Sequence, residues 1–370
     1  MKKILIILLL CFQFMFAQKE LALVRKEGKF GYISKKGDFV IQPVYLNAKS
    51  FSNGLAAFEE NNKWGFIDVN GTVVISATFD KVKYFSSGIC VVLKGKEWFY
   101  IDKKGATIKA PATDKVYDFE EGVAFIRKGE KVGLINSNME TVLVPQYDVI
   151  KSFENGFAKV KNNNHWGIID ANGKEVVSIV YDEIGDYFKN ITWAKKDNAF
   201  GLVIAGKFKP IEGVDKIWGF YKEDITYARK NGRIGYIDTN GNWVIEPKFE
   251  KARPFVNGLA PVCLGGNWGY INNKSTFIVE PKYNDAEVFS LDGLAPVKEN
   301  EWGFINQLGE LVIPTDYVIT AGGLFSIFKK DEKGFVDGIA RVKKGSMWGF
   351  IKLDGTVLGN QWFENAELFN

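Results

Sequence analysis

The chain has 370 residues, 48 basic and 44 acidic side chains for a formal net charge of +4, 15% aromatic residues and 38 glycines. The two charge signs are mixed throughout with no Lys/Arg block, which argues against nucleic acid or an anionic lipid surface as partner. Three cysteines are too few for a disulfide scaffold, and abundant aromatic residues with regular glycine point to short strands and tight turns.

The N-terminus reads as a targeting segment. Lys2 and Lys3 precede an apolar run from Ile4 to Phe16, broken only by Gln13 and too short for a comfortable membrane-spanning helix. The chain turns polar at Gln18, so residues 1–17 are expected to be a secretory signal cleaved after Ala17. A lipoprotein signal using Cys11 is the alternative; bulky Leu10 before it and the apolar run beyond it argue against that. No later segment is long and apolar enough to cross a membrane as a helix. The remaining chain is expected outside the cytoplasm, whether periplasmic, cell-surface or extracellular. Cys90 and Cys263 lie about five repeats apart and are read as buried thiols.

From residue 18 to 370 the sequence repeats. Phe30-Gly31, Trp64-Gly65, Trp98-Phe99, Val132-Gly133, Trp166-Gly167, Phe200-Gly201, Ile234-Gly235, Trp268-Gly269 and Trp302-Gly303 follow one another at intervals of 34 residues. A tenth copy, Trp348-Gly349, comes after 46 residues, so 12 are inserted. Each copy continues with an aromatic or aliphatic residue and then Ile or Val, often followed by Asp or Asn; three residues further on comes Gly at Gly37, Gly71, Gly105, Gly173, Gly241, Gly309 and Gly355. An apolar run follows, often with Pro, then an aromatic residue and a Phe-x-x-Gly unit such as Phe51 to Gly54.

In the second copy Leu55-Ala56-Ala57-Phe58 reads as a strand, Asn61-Asn62-Lys63 as a polar tip, and Trp64 to Ile67 as a second strand. Asp68-Val69-Asn70-Gly71 has hairpin-turn chemistry, and Thr72 to Ser76 is a third strand. Each module is therefore a three-stranded antiparallel meander with a crossing segment. A lone meander cannot bury both faces, so neighbours must stack into a continuous core. The expected class is all-β, with ten meander repeats. Leu21 to Val24 opens the first module and Phe369 falls at the Phe of a Phe-x-x-Gly unit, leaving no terminal strand to complete a first blade. That favours an open solenoid or superhelix over the alternative, a closed propeller-like ring, since propellers usually have four to eight four-stranded blades.

The Phe-x-x-Gly-Leu-Ala unit, Lys63-Trp64-Gly65-Phe66-Ile67-Asp68, the following Gly and Val-Ile-x-Pro-x-Tyr/Phe resemble the bacterial WG-repeat (KWG-repeat) proteins. The resemblance spans about residues 20 to 370. It implies tandem β arrays and carries no catalytic residues. The pattern fades around 185–233 and is interrupted by the insertion at 320–333.

The shared tryptophans are read as a core ladder, because Val132, Phe200 and Ile234 occupy the same position; exposed rings stacking on sugars are the competing reading. Asp68, Asp102, Asn136, Asp170, Asp238, Asn272 and Asn306 are read as turn caps and not as a calcium row, which needs several oxygens per ion. His165, the only histidine, sits in a polar tip with no nucleophile motif. No catalytic, metal or cofactor site is expected. A distant carboxylate pair for glycoside cleavage has no sequence signature, and the adjacent pairs Glu59-Glu60, Glu120-Glu121 and Asp331-Glu332 read as solvated.

Specificity in repeat arrays sits where the pattern breaks. The candidate binding surface is Leu324, Phe325 and Phe328 in the insertion, with Trp193, Trp218 and Tyr221 in the divergent stretch. The expected function is a non-enzymatic binding or scaffolding module of the cell envelope, with a protein or envelope polysaccharide as partner. The alternative is a carbohydrate-binding protein or a carboxylate-based carbohydrate-active enzyme.

Overall fold

β-branched and aromatic runs separated by Asn, Asp and Gly favour strands joined by tight turns. The computed structural model, which describes residues 20–320 and 333–370, contains no helix among those residues. The fifth repeat shows the pattern: Val149–Ile150 (strand a), Phe157–Asn162 (b), His165–Asp170 (c) and Glu175–Tyr181 (d) form one antiparallel sheet in that order. Asn163 and Asn164, with φ of 48° and 68°, form the b–c turn in the left-handed region that Asn tolerates.

Ten such sheets occur among the described residues, nine with four strands and one with three. In the three-stranded sheet the a position survives as a single bridge between Ala48 and Phe58. The segment expected to cross between meanders therefore supplies strand a of the following sheet. A strand of two residues, as at Lys81–Val82, is how a short repeat furnishes four.

The array is closed, which corrects the expectation of an open solenoid in favour of its alternative. The C-terminal strand, Asn365–Phe369, pairs with the first strand, Leu21–Lys26, as strand a of the first blade. Ala22 stands opposite Phe369, Val24 opposite Ala366 and Arg25 opposite Asn365. The stretch around Phe369 thus continues the repeat and at the same time completes the first blade. Closure leaves no terminal blade with an uncovered apolar face.

The core runs between blades. The residue two after the Trp position in strand c, which follows Gly in every blade but the third, is almost fully buried throughout: Tyr32, Phe66, Tyr100, Leu134, Ile168, Leu202, Tyr236, Tyr270, Phe304 and Phe350 are at most 1% exposed. At seven interfaces this residue is aromatic and its ring packs on the Phe of the next blade's Phe-x-x-Gly unit, as in Phe66–Phe85 at 4.8 Å. The polar turns are also tied to each other. Gly88 N–H donates to Asn53 Oδ1, Gly122 N–H to Ser87 Oγ and Gly258 N–H to Glu223 Oε1, each across one interface.

The Gly after the Trp position has its own cause. Strand d bulges over it: Trp64 pairs with Phe79 and Phe66 with Ile75, so two steps of strand c face four of strand d. A methyl group on Gly65 would stand 2.5 Å from the Ile75 carbonyl oxygen. The space a side chain would fill is thus taken by the blade's own backbone and not by a neighbouring module. The third blade has Phe99 at this position, and its strand d is only Thr107–Ile108, against seven residues in eight other blades.

Candidate functional site

The tryptophans divide. Trp268 and Trp302 are buried at 6% and 8% exposure, Trp98 is 38% exposed, and Trp64, Trp166 and Trp348 are half-buried. The fully buried ladder is therefore one step along, at the residue after Gly, and the expected Trp core holds only in part. Trp64, Trp166, Trp268, Trp302 and Trp348 each stand opposite the last aromatic residue of strand d, as in Trp166 opposite Tyr181. A cation lies over each of these five rings, among them Lys49 over Trp64 at 5.3 Å, Arg253 over Trp268 at 4.8 Å and Arg341 over Trp348 at 4.7 Å. Trp98 has no strand d beside it to supply the aromatic residue, and that is why it is exposed.

The Asp/Asn positions cap turns. Asp68 Oδ1 accepts from Asn70 N–H and Thr72 N–H, both at 2.9 Å, and Asp102, Asn136, Asp170, Asp238, Asn272 and Asn306 repeat the arrangement. Partial desolvation opposes ionisation of Asp68, but the Thr72 and Asn70 donors outweigh it and hold the carboxyl below its ordinary range. A second set of carboxylates links blades. Asp148 takes a 2.6 Å bond from Lys131 of the fourth blade and a 2.8 Å bond from Asn163 N–H of the fifth. The Lys131 ammonium, then the Asn163 donor, hold this carboxyl low. Asp80 does the same with Lys63 and Gly95. The Lys before the Trp position thus serves the joint between blades.

Of the expected site residues, Leu324, Phe325 and Phe328 lie outside the described residues. On either side of that segment, Val318 bridges Lys343, and Phe335, 1% exposed, packs on Phe304 at 4.9 Å. The described flanks thus keep the aromatic ladder intact at this interface. Trp193 lies in strand b of the sixth blade with its indole over Gly185, where a methyl group would collide with it. Trp218 stacks on Tyr227 of the seventh blade at 4.6 Å and 19°, with Lys216 over its ring at 4.6 Å. Tyr221 falls at the Phe of the Phe-x-x-Gly register, but the core there is filled by Phe220, 9% exposed and clustered with Leu202, while Tyr221 is half-buried with Lys222 over its ring at 5.3 Å. All three lie along the a–b edge of two adjacent blades. The turn of the sixth blade keeps its shape because Asn190, with φ of 66°, stands where other blades have Gly.

The sequence missed a cleft of about 250 Å³ one interface earlier, between the fifth and sixth blades, lined by Lys151, Ser152, Glu154, Phe157, Lys159, Ile168, Asp186 and Tyr187 among others. The first four blades put Leu23, Ala57, Val91 and Phe125 at the position of Lys159, opposite the buried residue of strand c, and only the tenth blade shares a cation there, Arg341. Here Lys159 donates to Asp186 Oδ1 of the sixth blade at 2.7 Å. Ile168 brings no ring to the interface, and Tyr187 packs edge-on against Phe157 at 4.6 Å. The one signal in the sequence is Lys159 at a register position that carries a cation in a single other blade, at Arg341. A shallower cleft of about 460 Å³ lies at the seam of the tenth and first blades, beside the Lys35–Asp337 ion pair. Cys90 and Cys263 are free and buried; burial pushes both thiols up, with Glu250 adding to the effect at Cys263.

No helix of the described residues is long and apolar enough to cross a membrane. Among solved structures, a eukaryotic initiation factor is similar over 95% of this chain and 98% of its own, at 10% identity and a TM-score of 0.49. PorZ of Porphyromonas gingivalis, described as a surface component of the type-IX secretion system, matches over 95% of this chain and 59% of its own, at 10% identity and a TM-score of 0.26. Hsv2 of Kluyveromyces lactis matches over 70% and 96%, at 10% identity and a TM-score of 0.23. None of these similarities is close enough to bear on function. No curated protein matches the chain. The family model for the WG containing repeat matches residues 30–64, 64–98, 98–131, 133–165, 166–198, 234–268, 268–301 and 302–317. With well over half its length matched in this register, the chain belongs to the WG-repeat family.

Proposed function

We propose that this protein is an exported, non-enzymatic binding or scaffolding ring of the cell envelope. The observation that carries the reading is how the repeated positions are used. The residue after Gly fills the core, Gly admits the bulge of strand d, the Asp/Asn caps a turn, and Lys131 and Asp148 tie blades together. These positions serve folding, so what differs from blade to blade is left to meet a partner. The departures gather along the a–b edge of the fifth to seventh blades and at the insertion in the tenth. Export rests on the N-terminal sequence alone.

The test is affinity capture of a purified partner from an envelope fraction by the full ring, run beside turnover assays on cell-wall polymers. A saturable complex without turnover is the expected result. Turnover abolished by a single Asp or Glu substitution would overturn the non-enzymatic reading. Immunodetection of the chain in the cytoplasm alone would overturn export.

A further inference from the structure

We propose that the cleft between the fifth and sixth blades binds one residue of a neutral saccharide. The inference rests on the reading of the ring as a binding module and gives one site on it a ligand class.

Three departures coincide at this interface. The aromatic pair that fills seven other interfaces is replaced by Ile168 and a Tyr187 turned onto Phe157. The uncharged side chain that strand b carries at this position in eight of the other nine blades is replaced by Lys159. The turn-to-turn bond made by Asn53, Ser87 and Glu121 has no counterpart at Asn155 among the described residues. The space left is about 250 Å³, below the ~300–1,000 Å³ of pockets that take drug-sized ligands and suited to a single ring.

The lining specifies the chemistry. Lys151 and Lys159 balance Glu154 and Asp186, so the cleft offers no net charge to an ion. Lys159 and Asp186, bonded at 2.7 Å, set an N–H donor beside a carboxylate acceptor. Vicinal hydroxyl groups, each donor and acceptor at once, match that pair. Phe157 and Tyr187 form an apolar aromatic wall for the C–H face of a sugar ring. Lys151 and Glu154 are exposed at the rim, so the site is open to a residue within a longer chain.

The experiment titrates the full chain with cellohexaose, maltohexaose and chitohexaose, following tryptophan emission and calorimetry, with glucose and N-acetylglucosamine as free-sugar arms and dextran sulfate as the anionic arm. Trp166, with Lys151 over its ring at 5.9 Å, is the nearby reporter. At least one neutral saccharide is expected to bind saturably. Asp186→Asn and Tyr187→Ala are each expected to weaken it about tenfold or more. Ile168→Phe, which restores the ring found at other interfaces, is expected to abolish binding while the circular dichroism melt shows a folded ring. Tighter binding of a hexaose than of its monosaccharide identifies a polymer as the source; equal binding identifies a free sugar. The proposal is overturned if no neutral saccharide binds, if only dextran sulfate binds, or if binding survives all three substitutions. Retained capture of the protein partner by Ile168→Phe would leave the binding-module reading standing in any of these cases.

Discussion

Leu21 and Asn370 hydrogen-bond to one another through their backbones, Leu21 N–H to the Asn370 carbonyl at 3.0 Å and Asn370 N–H to the Leu21 carbonyl at 3.3 Å. The two ends of the described chain therefore meet in one blade. The joint is reinforced by Arg341 of the tenth blade, which donates to the Ala366 carbonyl at 3.1 Å and lies 3.7 Å from Glu367, both side chains being at most 7% exposed. Glu367→Gln is expected to destabilise the ring by ~3 kcal/mol, because it leaves a buried guanidinium without its carboxylate. Urea unfolding of the variant against the parent chain measures this; a shift under half that size would make the pair dispensable to closure.

The bulge over Gly65 makes a local prediction. Gly65→Ala should cost ~1–3 kcal/mol, since the Ile75 carbonyl must move to admit the methyl group. The amides of Val73–Phe79 should exchange faster while those of Lys63–Asp68 change little, as read by hydrogen exchange. Unchanged protection across Val73–Phe79 would contradict the account of the Trp-Gly pair.

Burial ranks three aromatic substitutions. Phe66→Ala, in the fully buried ladder, should cost ~3–5 kcal/mol. Trp64→Ala should cost less, because its ring is half-buried and the cation over it adds only ~0.5–1 kcal/mol. Trp98→Ala should cost least, as its ring is 38% exposed. Denaturant midpoints give the order directly.

Much of this was legible in the sequence, and the failures share a cause. The register of Trp64, Gly71 and Asp68 was readable because hairpins and capped turns are set by residues a few positions apart. The fourth strand was not, since Lys81–Val82 is too short to show a period and belongs to the blade after its own meander. Closure was missed because Phe369 satisfies the repeat whether or not it pairs with Ala22. The tryptophans read as the core because Val132, Phe200 and Ile234 share their position, whereas the fullest burial falls on Tyr32, Phe66 and their equivalents. The cleft was missed because Lys159, Ile168, Asp186 and Tyr187 are each ordinary alone and meet only across an interface.

Acid should loosen the joints between blades first. The folded carboxyls of Asp80 and Asp148 are held low, chiefly by Lys63 and Lys131. A depressed folded pKa contributes stability that is present above the unfolded value, about 3.9, and is lost as pH falls through the folded one. Asp148→Asn should therefore flatten the fall of stability below about pH 4. Melting temperatures measured from pH 7 down to pH 2 test it; parallel curves for the two chains would contradict it.

The closed ring is the claim on which the rest depends, and hydrogen exchange on the full chain tests it most directly. Protection of Asn365–Phe369 and Leu21–Lys26 should match that of the a and b strands of interior blades such as Lys251–Ala252 and Leu259–Leu264. Rapid exchange of Asn365–Phe369 beside protected interior strands would mean that the array is open.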